Sequence, residues 1–138
     1  MKLTKDFTLD ELTKSATAKR KGIDNTPSEE VIANLTTLCV KVLQPLRNAY
    51  GEPIIITSGY RCDKLNKAVG GAKNSHHRYG MAADIRTVSD RREDNRKLFD
   101  LVKTLDLPFT QLIDEYNYDW VHVSFDPKNN KRQILHTK

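Results

Sequence analysis

Apolar residues recur at Val31, Ile32, Leu35, Leu38, Cys39, Val42, Leu43, Leu46 and Ala49. These steps of three and four mark one face of a helix. Thr26 at the N-cap, Pro27 in the first turn and Glu29 as capping-box partner would start it. Pro45 removes a backbone donor near the end and should kink the last turn. Upstream, Thr8 with Glu11 reads as a capping box for a short helix within residues 7–22, and 22–27 reads as a loop. Downstream the period changes. Residues 54–57, Ile-Ile-Ile-Thr, form a β-branched run that predicts a buried strand. A short helix over 63–69 should stop at Gly70-Gly71. Residues 81–86 read as a strand. Asp90 with Glu93 opens a helix whose apolar face is Leu98, Leu101, Val102 and Leu105. Residues 112–116 and 120–125 are two strands joined tightly through Asn117-Tyr118, and 126–138 is a polar tail, frayed or forming an edge strand. Helices precede hairpin-like strands without a βαβ rhythm, which predicts an α+β fold: a small antiparallel sheet packed with helices.

Two strands carry unusual residues. In Trp120-Val121-His122-Val123-Ser124-Phe125, alternation puts Val121, Val123 and Phe125 on one face and Trp120, His122 and Ser124 on the other. The first face is core and the second has the composition of a site wall. In Ser75-His76-His77-Arg78-Tyr79-Gly80-Met81-Ala82-Ala83-Asp84, a histidine loop leads through a glycine into a strand bearing an aspartate. Ala82, Asp84 and Arg86 share a face, and the small neighbours of Asp84 leave room above it. A lone strand histidine is most often a satisfied polar group. An aspartate among apolar residues is rarer, because a buried unpaired charge is costly. Two histidines and a carboxylate form a catalytic zinc set with one open position, and imidazole ligands favour zinc over magnesium or calcium.

Composition narrows the classes. The 138 residues, 38% hydrophobic and 30% charged, suit a single domain, 1–138, with its core in 7–125. No apolar run approaches the roughly 20 residues of a membrane span. Met1–Asp6 lacks an apolar signal core. The net charge is +5, but basic residues are scattered, and the densest cluster, Lys19-Arg20-Lys21, has no interleaved aromatics. A nucleic-acid partner is therefore not expected. Cys39 and Cys62 fit no CxxC pattern and read as free thiols, Cys39 in the core.

The motif S-x-H-x-x-G-x-A-x-D, matched by Ser75, His77, Gly80, Ala82 and Asp84, and W-x-H, matched by Trp120 and His122, resemble the M15 family of zinc D-Ala-D-Ala carboxypeptidases and related wall endopeptidases. Ser58-Gly59-Tyr60-Arg61, Leu65-Asn66 and Val69-Gly70-Gly71 extend the resemblance, which covers 7–125. It implies the small α+β fold shared with the Hedgehog signalling domain, and Zn2+ on His77, Asp84 and His122. It makes Arg61 a substrate or transition-state binder, which suits a guanidinium able to donate two parallel hydrogen bonds. Ser75 would line the pocket or merely cap a turn, and Trp120 would contact substrate. His76, one place off the motif, is expected to be exposed. Asp119, three residues before His122, is favoured as general base by spacing in relatives, with Glu115 the alternative.

The expected activity is zinc-dependent hydrolysis of a peptidoglycan stem peptide, at a D-Ala-D-Ala end or an internal L-Ala-D-Glu bond, by a monomer. With neither signal nor wall-binding module, the chain reads as a phage or prophage lysis enzyme made in the bacterial cytoplasm and acting at the wall. The competing reading is a non-catalytic zinc-binding protein-interaction module of the same fold. An acidic residue beside the metal separates the two.

Overall fold

A computed structural model describes residues 1–137. Its helices are α1 (Leu9–Thr13), α2 (Ala16–Lys21), α3 (Glu29–Leu38), α4 (Gln44–Tyr50), α5 (Asp63–Ala68) and α6 (Arg92–Thr104). Its strands are β1 (Ile54–Ser58), β2 (Ala82–Thr87), β3 (Gln111–Glu115), β4 (Trp120–Ser124) and β5 (Gln133–His136). The sheet runs in the order β1-β2-β4-β3-β5. Its neighbours are antiparallel except β3 and β5, which are parallel. The expected α+β architecture is therefore present, with a mixed sheet. The polar tail takes the edge-strand option. No helix among the described residues is long and apolar enough to cross a membrane.

Thr8 closes the expected capping box with Glu11. The long helix starts later than expected. Ser28 is its N-cap, accepting from the Val31 N–H, while the Thr26 hydroxyl donates to Asp24. Pro45 does not kink the last turn. A widened π-type turn at Cys39–Leu43 lies just ahead of it, and α4 follows with Pro45 in its first turn. That is where a residue without an N–H is tolerated, and the wider turn absorbs the clash of its ring with the preceding turn. In α6 the N-cap position is Arg91 rather than Asp90. Asp90 takes a left-handed φ of 57° and accepts from the Asn95 amide. The triple-isoleucine strand is an edge, and Ile54 alone of its isoleucines is fully buried.

One face of the sheet is core. Ala83, Ile85, Leu112, Val121 and Val123 pack with Leu35, Leu38 and Leu46 of the long helix and Leu98, Phe99 and Val102 of α6. Cys39 lies in this core, and burial pushes its thiol up to about 12; both cysteines are free. On the opposite face Asp84, Trp120 and His122 line a cleft, while Ala82 and Ser124 at its end are fully buried.

Candidate metal centre

Cross-strand register brings the first two site residues together. Asp84 on β2 lies directly opposite His122 on β4, so their side chains rise from the same face. His122 Nδ1 is 3.0 Å from Asp84 Oδ1. His77 arrives from above, on a 3-10 turn at His76–Tyr79 rather than an open loop. Ser75 caps that turn by accepting from the His77 N–H. Gly80 ends it at φ 72°, where an added Cβ would sit 2.9 Å from both Val31 Cγ1 and Val31 O. The glycine is thus required both for its left-handed backbone and for its fit against α3.

The protonation of His77 follows from its neighbours. Its Nδ1 is 2.7 Å from the Gly59 carbonyl oxygen, so Nδ1 carries a proton and donates it. Burial lowers its pKa, with Asp84 acting the other way, and the ring is only 2% exposed. In the neutral ring Nε2 is a bare lone pair, and it faces Asp84 Oδ1 at 3.3 Å. Burial also works against the Asp84 charge, but its contacts with His122 and His77 hold the carboxyl well below the usual carboxylate range. A charged carboxylate and an imidazole lone pair at this distance need a proton or a cation between them. The three ligand atoms lie within 4.8 Å of one another. Tetrahedral ligands about 2.0–2.1 Å from zinc stand about 3.3 Å apart, and the two spacings from Asp84 Oδ1, 3.3 Å to His77 Nε2 and 3.0 Å to His122 Nδ1, match that value. A carbonyl that fixes the imidazole tautomer is the usual support for a ligand histidine.

Arg61 joins the cluster from the loop after β1. Its Nη2 is 3.6 Å from Asp84 Oδ2, the oxygen turned away from the histidines. Burial lowers its pKa and Asp84 counters that. The cleft above these residues has a volume of about 1050 Å³ and is lined also by Ser75, His76, Glu115 and Trp120. Ser75 therefore both caps the turn and reaches the cleft. His76 departs from expectation: it is half-buried in the cleft wall. Trp120 packs against Tyr116 with ring centroids 5.3 Å apart.

The two acidic residues separate clearly. Glu115 shares the cleft face of β3 with Gln111 and Ile113. Its Oε2 accepts from the Thr137 hydroxyl at 3.2 Å. Asp119 is exposed and is not part of the cleft lining. Its carbonyl accepts from the Asn95 amide of α6, on the core side of the sheet. Asp119 stands in the turn before β4, three residues from His122, where strand parity favours the opposite face, so of the two acidic candidates Glu115 is the one that lines the cleft. The hairpin loop does not swing Asp119 back, because Tyr116, Asn117 and Tyr118 are all left-handed and close the turn with the Asp119 N–H on the Glu115 carbonyl.

Sequence reasoning assigned no role to Asn66 or Thr137. Both act on charged site residues through contacts that local periodicity does not carry. The only signal for Asn66 was its place in the Leu65-Asn66 motif.

Comparison with known proteins agrees with this geometry. The sequence model of the family described as Peptidase M15 matches residues 5–124. A zinc D-Ala-D-Ala carboxypeptidase of Streptomyces albus G is 50% identical over 44 residues. That match covers 31% of this chain and only 17% of the relative.

Proposed function

This chain belongs to the peptidase M15 family, and from that premise we propose that it is a zinc peptidase hydrolysing a bond in the stem peptides of bacterial peptidoglycan. The observation that carries this reading is the set His77, Asp84 and His122, whose donor atoms converge at the floor of a peptide-sized cleft. These three residues would hold the ion. Zinc supplies Lewis acidity, which polarises a carbonyl and acidifies water.

The remaining chemistry belongs to the chain. Glu115 takes a proton from the attacking water and returns it to the departing amine. Its carboxylate accepts from the Thr137 hydroxyl after β5, on the side of β3 away from β4, and it must turn from that partner to meet the water. Arg61 directs its guanidinium at the charge that develops on the carbonyl oxygen, or at a substrate carboxylate. Trp120 with Tyr116 gives the cleft an apolar wall against which a side chain or peptide plane can lie. The activity named for the Streptomyces relative supports a D-Ala-D-Ala end as substrate, with an internal L-Ala-D-Glu bond as the other type.

Soluble peptidoglycan fragments incubated with the zinc-loaded protein should be cleaved, and a chelator should stop the reaction. Mass spectrometry separates the two types. Release of free alanine identifies a carboxypeptidase, and a new internal break identifies an endopeptidase. Fragments left intact by zinc-loaded protein would reject the enzymatic reading and favour a non-catalytic zinc module.

A further inference from the structure

Arg61 is held more tightly than a substrate-binding arginine at a turn needs to be. Its Nε donates to the Ser58 hydroxyl at 3.1 Å, and its Nη1 donates to Asn66 Oδ1 at 3.0 Å. Two of the five guanidinium N–H groups are thus hydrogen-bonded, and Nη2 stands at ion-pair distance, 3.6 Å, from Asp84 Oδ2. One N–H on Nη1 and both on Nη2 are left for a ligand or for Asp84. The plane of the fork is thereby set before any ligand arrives.

Asn66 is the part of this arrangement that joins Arg61 to the loop after α5. It is only 4% exposed, on α5. Its Nδ2 donates to the Ala72 carbonyl at 2.9 Å, which fixes the amide so that Oδ1 faces Arg61. Turning the amide over would set an NH2 against a guanidinium and an oxygen against a carbonyl. Behind the pair lies Gly71, whose N–H donates to the Asn66 carbonyl. A Cβ at position 71 would fall 2.1 Å from Asn66 Oδ1 and 2.6 Å from Arg61 Nη1. The volume that a side chain would need is filled by the hydrogen bond itself.

We propose that Asn66, backed by Gly71, is a positioning residue that fixes the Arg61 fork over the metal centre. This rests on the reading of Arg61 as the group that meets substrate. Asn66 belongs neither to the three-residue donor set nor to the cleft lining, so its effect passes through Arg61 and disappears when Arg61 is absent. A residue that merely closes the loop after α5 would act regardless of what stands at position 61.

The test is a double-mutant cycle on soluble peptidoglycan fragments, with zinc content and thermal midpoint measured for each protein. Asn66→Ala and Gly71→Ala should each lower kcat/KM by about tenfold with zinc retained. Gly71→Ala removes no hydrogen-bonding group and so carries the test alone if Asn66→Ala does not fold. Placed on Arg61→Ala, each should change kcat/KM by less than about twofold, since residues acting as one unit are not additive. Losses that multiply in the double variants would overturn the proposal, as would full activity in both single variants. Full activity in Arg61→Ala would overturn it differently, by removing Arg61 itself from the reaction.

Discussion

Replacing His122 by alanine is expected to strip the chain of zinc and to lower peptide hydrolysis by at least about a thousandfold. Substitutions that only support a ligand already cost about 10–100-fold in affinity or activity, and this one deletes one of three protein donors. The fold should survive it. His122 projects into the cleft, while its neighbours Val121 and Val123 are fully buried on the other face and keep β4 packed against the helices. The backbone pairing with Asp84 on β2 and Ile113 on β3 does not involve the ring. His76→Ala is the matched control: another cleft histidine, adjacent in sequence to a ligand, that should leave zinc bound. Elemental analysis after gel filtration reads both. Stoichiometric zinc in His122→Ala, or loss of zinc in His76→Ala, would show that the donor set is wrong.

The second large effect is expected at Glu115. Glu115→Gln removes the proton acceptor but preserves shape and the hydrogen bond from Thr137, so zinc and stability should be unchanged. A positioned general base contributes roughly 10²–10⁴-fold, and turnover should fall within that range. Asp119→Asn should change turnover by less than about twofold, because Asp119 is exposed and its carbonyl is tied to α6 rather than to the cleft. Single-turnover rates on soluble peptidoglycan fragments distinguish them. If Asp119→Asn were the crippled variant, the base assignment would pass to Asp119.

The contrast between these two residues shows what periodicity can and cannot resolve. Alternation in residues 120–125 separated the core-facing Val121 and Val123 from the cleft-lining Trp120 and His122, because a half-buried strand has a period of two, although Ser124 on the second face is fully buried. The same rule argued against Asp119. What kept that residue open was the turn before it, where Tyr116, Asn117 and Tyr118 take φ values of 50°, 56° and 65°. Two tyrosines in that conformation have no local signature, since left-handed backbone is normally carried by glycine or asparagine. Helix capping was legible to within two residues. The move from Thr26 to Ser28 reflects two good N-cap residues competing, with Asp24 engaging the first. The widened turn before Pro45 was not legible, because a proline can be accommodated by kinking at it or by rearranging ahead of it. Least accessible were the contacts that hold the charged residues in place. Asn66 on Arg61 spans five positions across a helix start, and Thr137 on Glu115 spans 22 and depends on β5 pairing parallel to β3.

An ion held between His77, Asp84 and His122 is open to a direct test by anomalous diffraction at the zinc absorption edge. Crystals of the zinc-loaded protein should show one strong peak per chain, within bonding distance of His77 Nε2, His122 Nδ1 and a carboxylate oxygen of Asp84. The absence of a peak there, or zinc held elsewhere on the chain, would contradict it.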